Sequence, residues 1–243
     1  MAHLTLHITR GVLASTLAEA RTAHNTFTDD GPQPGATSRA LGDVSHNVFT
    51  PAEGEDGALG APAGEMLFID YWADTHGMET FFAHPEVAAA SDRLFVSREE
   101  AEWAVAPDGF GFCAPAPHAL PPRFLAMTRA AIGSAEEDCA AVAKLISARI
   151  PAARLRGRIS HALFIRQADI ASLRPAANAH RAHGKAPGTA DAPVEILALD
   201  WWSSLNDLIE HYNETAANYA LQDVLAGPRE TTMWQQQSDF SEW

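Results

Sequence analysis

The sequence predicts an α+β fold built from two tandem copies of one β-α-β-β-α-β unit. Three observations predict it. A short stretch occurs twice, as Gly42-Asp43-Val44-Ser45-His46-Asn47-Val48-Phe49 and as Gly157-Arg158-Ile159-Ser160-His161-Ala162-Leu163-Phe164, with Gly, Ser, His and Phe in the same places. A second stretch repeats downstream of each: Glu65-Met66-Leu67-Phe68-Ile69-Asp70-Tyr71-Trp72 aligns with Glu195-Ile196-Leu197-Ala198-Leu199-Asp200-Trp201-Trp202. Between these landmarks the apolar spacing changes from period two to period three or four in the same order in both halves, as strands and helices require. Internal repetition on this scale makes the chain a duplication.

The first unit opens with Leu4 to Ile8, where Leu4, Leu6 and Ile8 alternate with Thr5, His7 and Thr9, the pattern of a half-buried strand. Leu13, Leu17, Ala20 and His24 then fall at steps of three and four, which predicts a helix over 12–27. Asp29-Asp30-Gly31-Pro32 ends it. The first copy of the repeat is the second strand, with Val44, His46 and Val48 on one face and Ser45, Asn47 and Phe49 on the other. A loop over 51–64 leads to a third strand, 66–72. Helical segments follow from Asp74 and, beyond His84-Pro85, over 86–95, and a fourth strand is expected over 102–106. The stretch 113–122 carries four prolines and reads as a linker, giving units at 1–112 and 123–243.

The second unit repeats the plan. A strand over 124–129 ends in Thr128-Arg129 as the first ends in Thr9-Arg10. Ser134 is a helix N-cap and Pro151 a helix stop. The His161 strand is followed by a loop over 169–193 and a third strand over 195–202. A helix over 205–225 and a strand over 231–240 complete the unit. This order is the ferredoxin-like split unit.

Composition restricts function. Seventeen Lys and Arg face 31 Asp and Glu, a net charge of −14, so nucleic acid and anionic membranes are not expected partners. No apolar run is long enough to span a bilayer, and the first residues lack a signal-peptide pattern, so a cytoplasmic setting is expected. Cys113 and Cys139 occupy non-equivalent places and form neither a disulfide framework nor a metal motif. His180 and His183 have metal-like spacing but lie among Gly184, Pro187 and Gly188 without a third ligand, so no metal is expected.

Phe68-Ile69-Asp70-Tyr71-Trp72-Ala73-Asp74 and Phe81-Phe82-Ala83-His84-Pro85 resemble the dimeric α/β-barrel superfamily, in particular its antibiotic-biosynthesis monooxygenase branch. Stress-responsive barrel proteins and some polyketide cyclases share that fold. In the family two chains pair their four-stranded sheets, so the resemblance implies that this chain closes one barrel within itself, as a monomeric pseudo-dimer or a homodimer of such barrels. Haem-degrading members carry an Asn on the first strand, a Trp ending the third and a His on the following helix. Trp72 and Trp202 match, but the first strands have no Asn and Ser91 stands at the helix position. No Gly-rich nucleotide fingerprint follows any strand, so no cofactor is expected.

Candidate chemistry concentrates on His46, His161, Asp70 and Asp200, polar groups set in apolar strands of both halves. A strand imidazole is suited to acid/base work near neutral pH or to a structural hydrogen bond. A buried carboxylate needs a partner, and Arg10 and Arg129, at the ends of adjacent strands, are available. Trp72, Trp202, Tyr71, Trp201, Trp103 and Trp234, with Phe49 and Phe164, are expected to line a hydrophobic chamber or to be core. Ser45 and Ser160 cannot pair with the adjacent histidines, since neighbouring strand residues point to opposite faces. Two function classes fit. One is a cofactor-independent enzyme of monooxygenase, cyclase or lyase type acting on a small hydrophobic, aromatic or polyketide-like molecule. The other is a non-catalytic ligand-binding or stress-responsive barrel. The halves differ near their helices, with His76 and His84 in the first against Asn206 and Glu214 in the second, so one half is expected to keep an open site.

Overall fold

The computed structural model describes residues 4–30, 35–53, 61–106, 112–113, 123–133, 137–169, 193–216 and 221–241. The first half runs β1 (Thr5–Leu13), α1 (Leu17–Asp30), α2 (Gly35–Ala40), β2 (Asp43–Pro51), β3 (Glu65–Trp72), α3 (Thr75–Phe82), α4 (Pro85–Leu94) and β4 (Phe95–Val105). After the two-residue β5 (Phe112–Cys113), the second half runs β6 (Phe124–Ile132), α5 (Glu137–Ser147), α6 (Ile150–Leu155), β7 (Arg158–Asp169), β8 (Val194–Trp202), α7 (Leu205–Ala216) and β9 (Glu230–Gln236).

Eight strands close into an antiparallel barrel in the order β4-β1-β3-β2-β9-β6-β8-β7, with β7 returning to β4. The two seams are equivalent: β2 of the first half pairs with β9 of the second, and β4 of the first with β7 of the second. The fold is therefore the expected α+β pseudo-dimer inside one chain. Closure removes the exposed strand edges that a lone four-stranded sheet would present.

Strand alternation sends one set of side chains into the barrel and the other toward the helices. Leu6, Ile8, Phe49, Leu67, Ile69, Trp103, Leu125, Met127, Phe164, Leu197, Leu199, Trp201 and Trp234 fill the lumen as one cluster, with Tyr71 packed against it. Trp72 instead packs outward on Met78, Phe82 and Val87, and Trp202 outward on Leu208 and Ala153. The single aromatic pocket expected from the sequence is thus divided between two faces, and its lumen share is core.

The repeated glycine has a backbone cause. Gly42 and Gly157 have φ of 102° and 104°, a region that side-chain-bearing residues rarely adopt. Their carbonyls accept from the N–H of Ala73 and Ser203 at 2.8 and 3.0 Å, tying the second strand of each half to the end of the third. A Cβ at Gly157 would also lie 2.7 Å from Ser203 Oγ.

Several boundaries differ from the sequence reading. Val12 and Leu13 belong to β1, and α1 begins only at Leu17. Strand β4 starts at Phe95 rather than near residue 102, and β9 ends at Gln236. Pro151 does not stop a helix; it occupies the first turn of α6, where its missing N–H costs nothing. Helix α7 ends at Ala216. The proline-rich stretch 114–122, Ser134 and the loop segment carrying His180 and His183 lie outside the described residues.

Candidate active site

Asp70 and Asp200 occupy equivalent positions, and each has a histidine directly across the sheet: His46 opposite Asp70, His161 opposite Asp200. These four side chains face the helices, so the imidazoles do not stand in the wall of a chamber enclosed by the paired sheets. Nor are the aspartates paired with Arg10 and Arg129. Those arginines point into the barrel, where Arg10 binds Glu65 and Glu230 and Arg129 binds Glu99 and Glu195. Each lies over a lumen tryptophan, Arg10 over Trp234 at 5.4 Å and Arg129 over Trp103 at 5.9 Å. Strand parity separates the two sets: Arg10 is three residues from His7, which faces Asp70.

In the first half Asp70 is saturated with imidazole. Its Oδ1 accepts from His46 Nδ1 at 2.5 Å and its Oδ2 from His7 Nδ1 at 3.1 Å. His24, on α1, meets His46 with the two Nε2 atoms 3.0 Å apart. The hydrogen-bond chain assigns the protons. Asn25 is oriented by its own bonds, its Oδ1 accepting from Ser241 N and its Nδ2 donating to Asp239 O. His24 Nδ1, 3.1 Å from that Oδ1, must therefore donate. Neutral His24 then accepts at Nε2, so His46 donates from both nitrogens and is an imidazolium beside the carboxylate. Burial and the charge of His46 push His24 down to about 3. Burial alone would raise Asp70, but the His46 charge and the bonds from His46 and His7 outweigh it and hold Asp70 at about 2. Phe68 packs against this group, 5.3 Å from His24 and 5.4 Å from His46, and fills the space under α1.

The second half keeps the carboxylate and changes its surroundings. Asp200 Oδ1 accepts from His161 Nδ1 at 2.7 Å, and Oδ2 accepts from the Tyr212 hydroxyl at 2.5 Å. Tyr212 thus takes the place that His7 takes on Asp70. The exchange is coordinated: Ala126 faces Asp200 where His7 faces Asp70, and Tyr212 on α7 stands where Phe82 stands on α3. Arg158 replaces Asp43 opposite the terminal tryptophan. Its Nη2 donates to His211 Nε2 at 2.8 Å, its Nη1 lies 3.5 Å from Asp200 Oδ1, and its guanidinium sits 5.3 Å over the Trp202 ring. Burial and then the Arg158 charge push His211 down to about 4, so it is neutral near pH 7. Burial and Asp200 push Tyr212 well above the usual phenol range, so it remains a donor. For Asp200, burial acts upward, but Arg158, His161 and Tyr212 together hold it below its ordinary value.

One further substitution opens a site. Ala198 stands where Phe68 stands, each following the equivalent threonine register (Thr128 opposite Ala198, Thr9 opposite Phe68). With the ring gone, a cavity of about 70 Å³ lies between the second sheet and its helices. Asp200, Arg158, His211 and Tyr212 border it, with Ala198, Ile196, Ile146 and Leu225 as apolar wall and Arg149 and Arg229 completing it. A site of this size holds several waters or the head of a small ligand. A cavity of about 10 Å³ in the lumen, beside Arg10, Arg129 and Trp103, is too small for a ligand. Of the residues singled out from sequence, only Asp200 borders the larger cavity, and His161 reaches it through Asp200. Arg158, His211 and Tyr212 were missed. Their signal is the mismatch between copies: Asp43 against Arg158 and Phe81-Phe82 against His211-Tyr212.

Comparison with solved structures matches the whole architecture. A structure of an anthrone oxidase-like protein superimposes with a TM-score of 0.56, covering 98% of this chain and 92% of the other at 12% identity. A candidate monooxygenase from Fusobacterium nucleatum gives 0.57 over 97% and 92% at 10% identity. Another from Lactobacillus acidophilus gives 0.55 over 96% and 94% at 9% identity. The chain has the dimeric α/β-barrel fold. At these identities the likeness of this fused barrel to its neighbours concerns architecture alone. No family profile and no curated protein matches the sequence. No described helix is long and apolar enough to cross a membrane, and the described residues hold no group of three or more His, Cys, Asp or Glu arranged for a metal ion.

Proposed function

We propose that the chain is a small enzyme of the monooxygenase, cyclase or lyase type, needing no cofactor, and that its working site is the cavity of the second half. What carries this reading is the opening beside Asp200, Arg158, His211 and Tyr212, at a place that Phe68 closes in the first half. Oxygenation, cyclisation and C–C lysis of an activated aromatic or polyketide-like molecule all begin by removing a proton. Ionised Asp200 is the group at the cavity able to receive one; buried His161 orients it, and His211, whose Nε2 accepts from Arg158, holds that guanidinium in place. The Asp70 cluster of the first half is then structural: Phe68 packs against its imidazoles where the second half has Ala198 and the cavity. The anthrone oxidase-like neighbour makes anthrones, with simple phenols, the first molecules to test.

The test is oxygen uptake and mass-spectrometric product detection on an anthrone and phenol panel, with the natural chain, Asp200→Asn and His211→Gln. The reading requires turnover that falls by about two orders of magnitude in at least one variant, the usual worth of an acid/base group. Equal turnover in all three would refute it. The second reading, a non-catalytic binding barrel, is favoured by one observation: the cavity's Arg158, His211, Tyr212 and Asp200 already bond to one another. It predicts ligand binding without any product.

A further inference from the structure

Arg158 is the least satisfied charged group described. It is 5% exposed, and its Nε and Nη1 find no hydrogen-bond partner. Buried donors of a charged group are normally paired, and an orphaned one marks a missing acceptor. The local acceptors do not supply it. Asp200 divides its two oxygens between His161 and Tyr212, and its approach to Arg158 Nη1 is 3.5 Å, an ion pair beyond hydrogen-bond contact. His211 takes only Nη2. The guanidinium carbon lies 5.3 Å over the Trp202 ring, and Arg158 lines the cavity together with Arg149 and Arg229. Three arginines around one carboxylate make this wall positive in a chain of net charge −14. The remainder of the wall is aliphatic, from Ala130, Ile146, Ile196, Ala198, Leu221 and Leu225.

We propose that this cavity binds a small organic acid, one oxygen of its carboxylate accepting a hydrogen bond from an unspent donor of Arg158 and its apolar body lying against the aliphatic wall. Nε and Nη1 lie on different edges of the guanidinium and Nη2 is given to His211, so the contact is a single charge-assisted hydrogen bond, with the charges of Arg149 and Arg229 adding to it. The assignment deepens the enzyme reading by naming the substrate class of the same site, and it rests on that reading only for catalysis. Binding stands by itself.

The probes are benzoate, its neutral isostere benzamide, and inorganic phosphate, titrated calorimetrically at pH 7 and low salt. The expected result is benzoate bound at least about tenfold more tightly than benzamide, the scale of one charge-assisted contact. Phosphate should not displace benzoate at equal concentration. Arg158→Met should erase the preference for benzoate over benzamide. Should that variant not fold, Ala198→Phe, which leaves Arg158 in place but fills the cavity, should abolish benzoate binding. Equal affinity for benzoate and benzamide, no binding of either, displacement by phosphate, or benzoate binding that survives Ala198→Phe would each overturn the proposal. Benzoate binding without turnover of any panel compound would refute the enzyme reading and leave this one standing.

Discussion

His24 offers a quantitative test of the buried network in the first half. It is 4% exposed, stays neutral to accept from His46, and is pushed from 6.5 down to about 3. The unfolded chain protonates this histidine near pH 6.5, whereas the folded chain resists until about pH 3, so between those limits the unfolded state binds more protons and stability falls with falling pH. The slope is about 1.4 kcal/mol per pH unit once the unfolded histidine is mostly protonated. Integrated from pH 7 to pH 4.5, above the range where most carboxylates titrate, His24 alone removes about 2.5 kcal/mol. His24→Gln keeps an acceptor for His46 near the same place but cannot titrate. Urea unfolding of both proteins at half-unit steps across this range isolates the difference, since every other group is common to the two. The variant should lose about 2.5 kcal/mol less than the natural chain over the interval. Parallel stability curves would show that His24 is already protonated in the folded state and that the assignment of protons through Asn25 is wrong.

Other perturbations probe single contacts. Tyr212→Phe removes a hydroxyl that donates to a buried carboxylate, and chemical denaturation should record a loss of about 1.5–3 kcal/mol. Gly157→Ala forces a side chain onto φ of 104° and against Ser203, so it should cost about 1–3 kcal/mol, with the midpoint of urea unfolding lowered at unchanged slope. Trp103→Ala empties part of the lumen, where the ring is 2% exposed, and should destabilise by about 3–5 kcal/mol in the same assay.

The fold was legible in the sequence because duplication leaves a trace that does not depend on tertiary context. The Gly-Ser-His-Phe repeat places Gly42 and Gly157 at a left-handed backbone position, His46 and His161 across from Asp70 and Asp200, and Phe49 and Phe164 in the lumen. The site was harder to read. Alternation in β1 implies a half-buried strand with one wet face, yet helices cover that face and bury His7 and Thr9. Which face carried the arginines followed from parity, but no local pattern announces that the outer face would hold the aspartates. The decisive residues, Arg158, Ala198, His211 and Tyr212, break the repeat, and their meaning appears only when the two copies are superimposed.

On the proposed reading, Ala198 leaves open in the second half the space that the Phe68 ring fills in the first, and substrate enters there. The most direct test is the rate of product formation by Ala198→Phe on whichever panel compound the natural chain consumes. With its circular-dichroism spectrum and melting temperature retained, the variant should be slower by about a hundredfold, equivalent to ~2.7 kcal/mol of lost transition-state stabilisation. A folded Ala198→Phe protein that turns over at the natural rate would place the chemistry elsewhere and contradict the account.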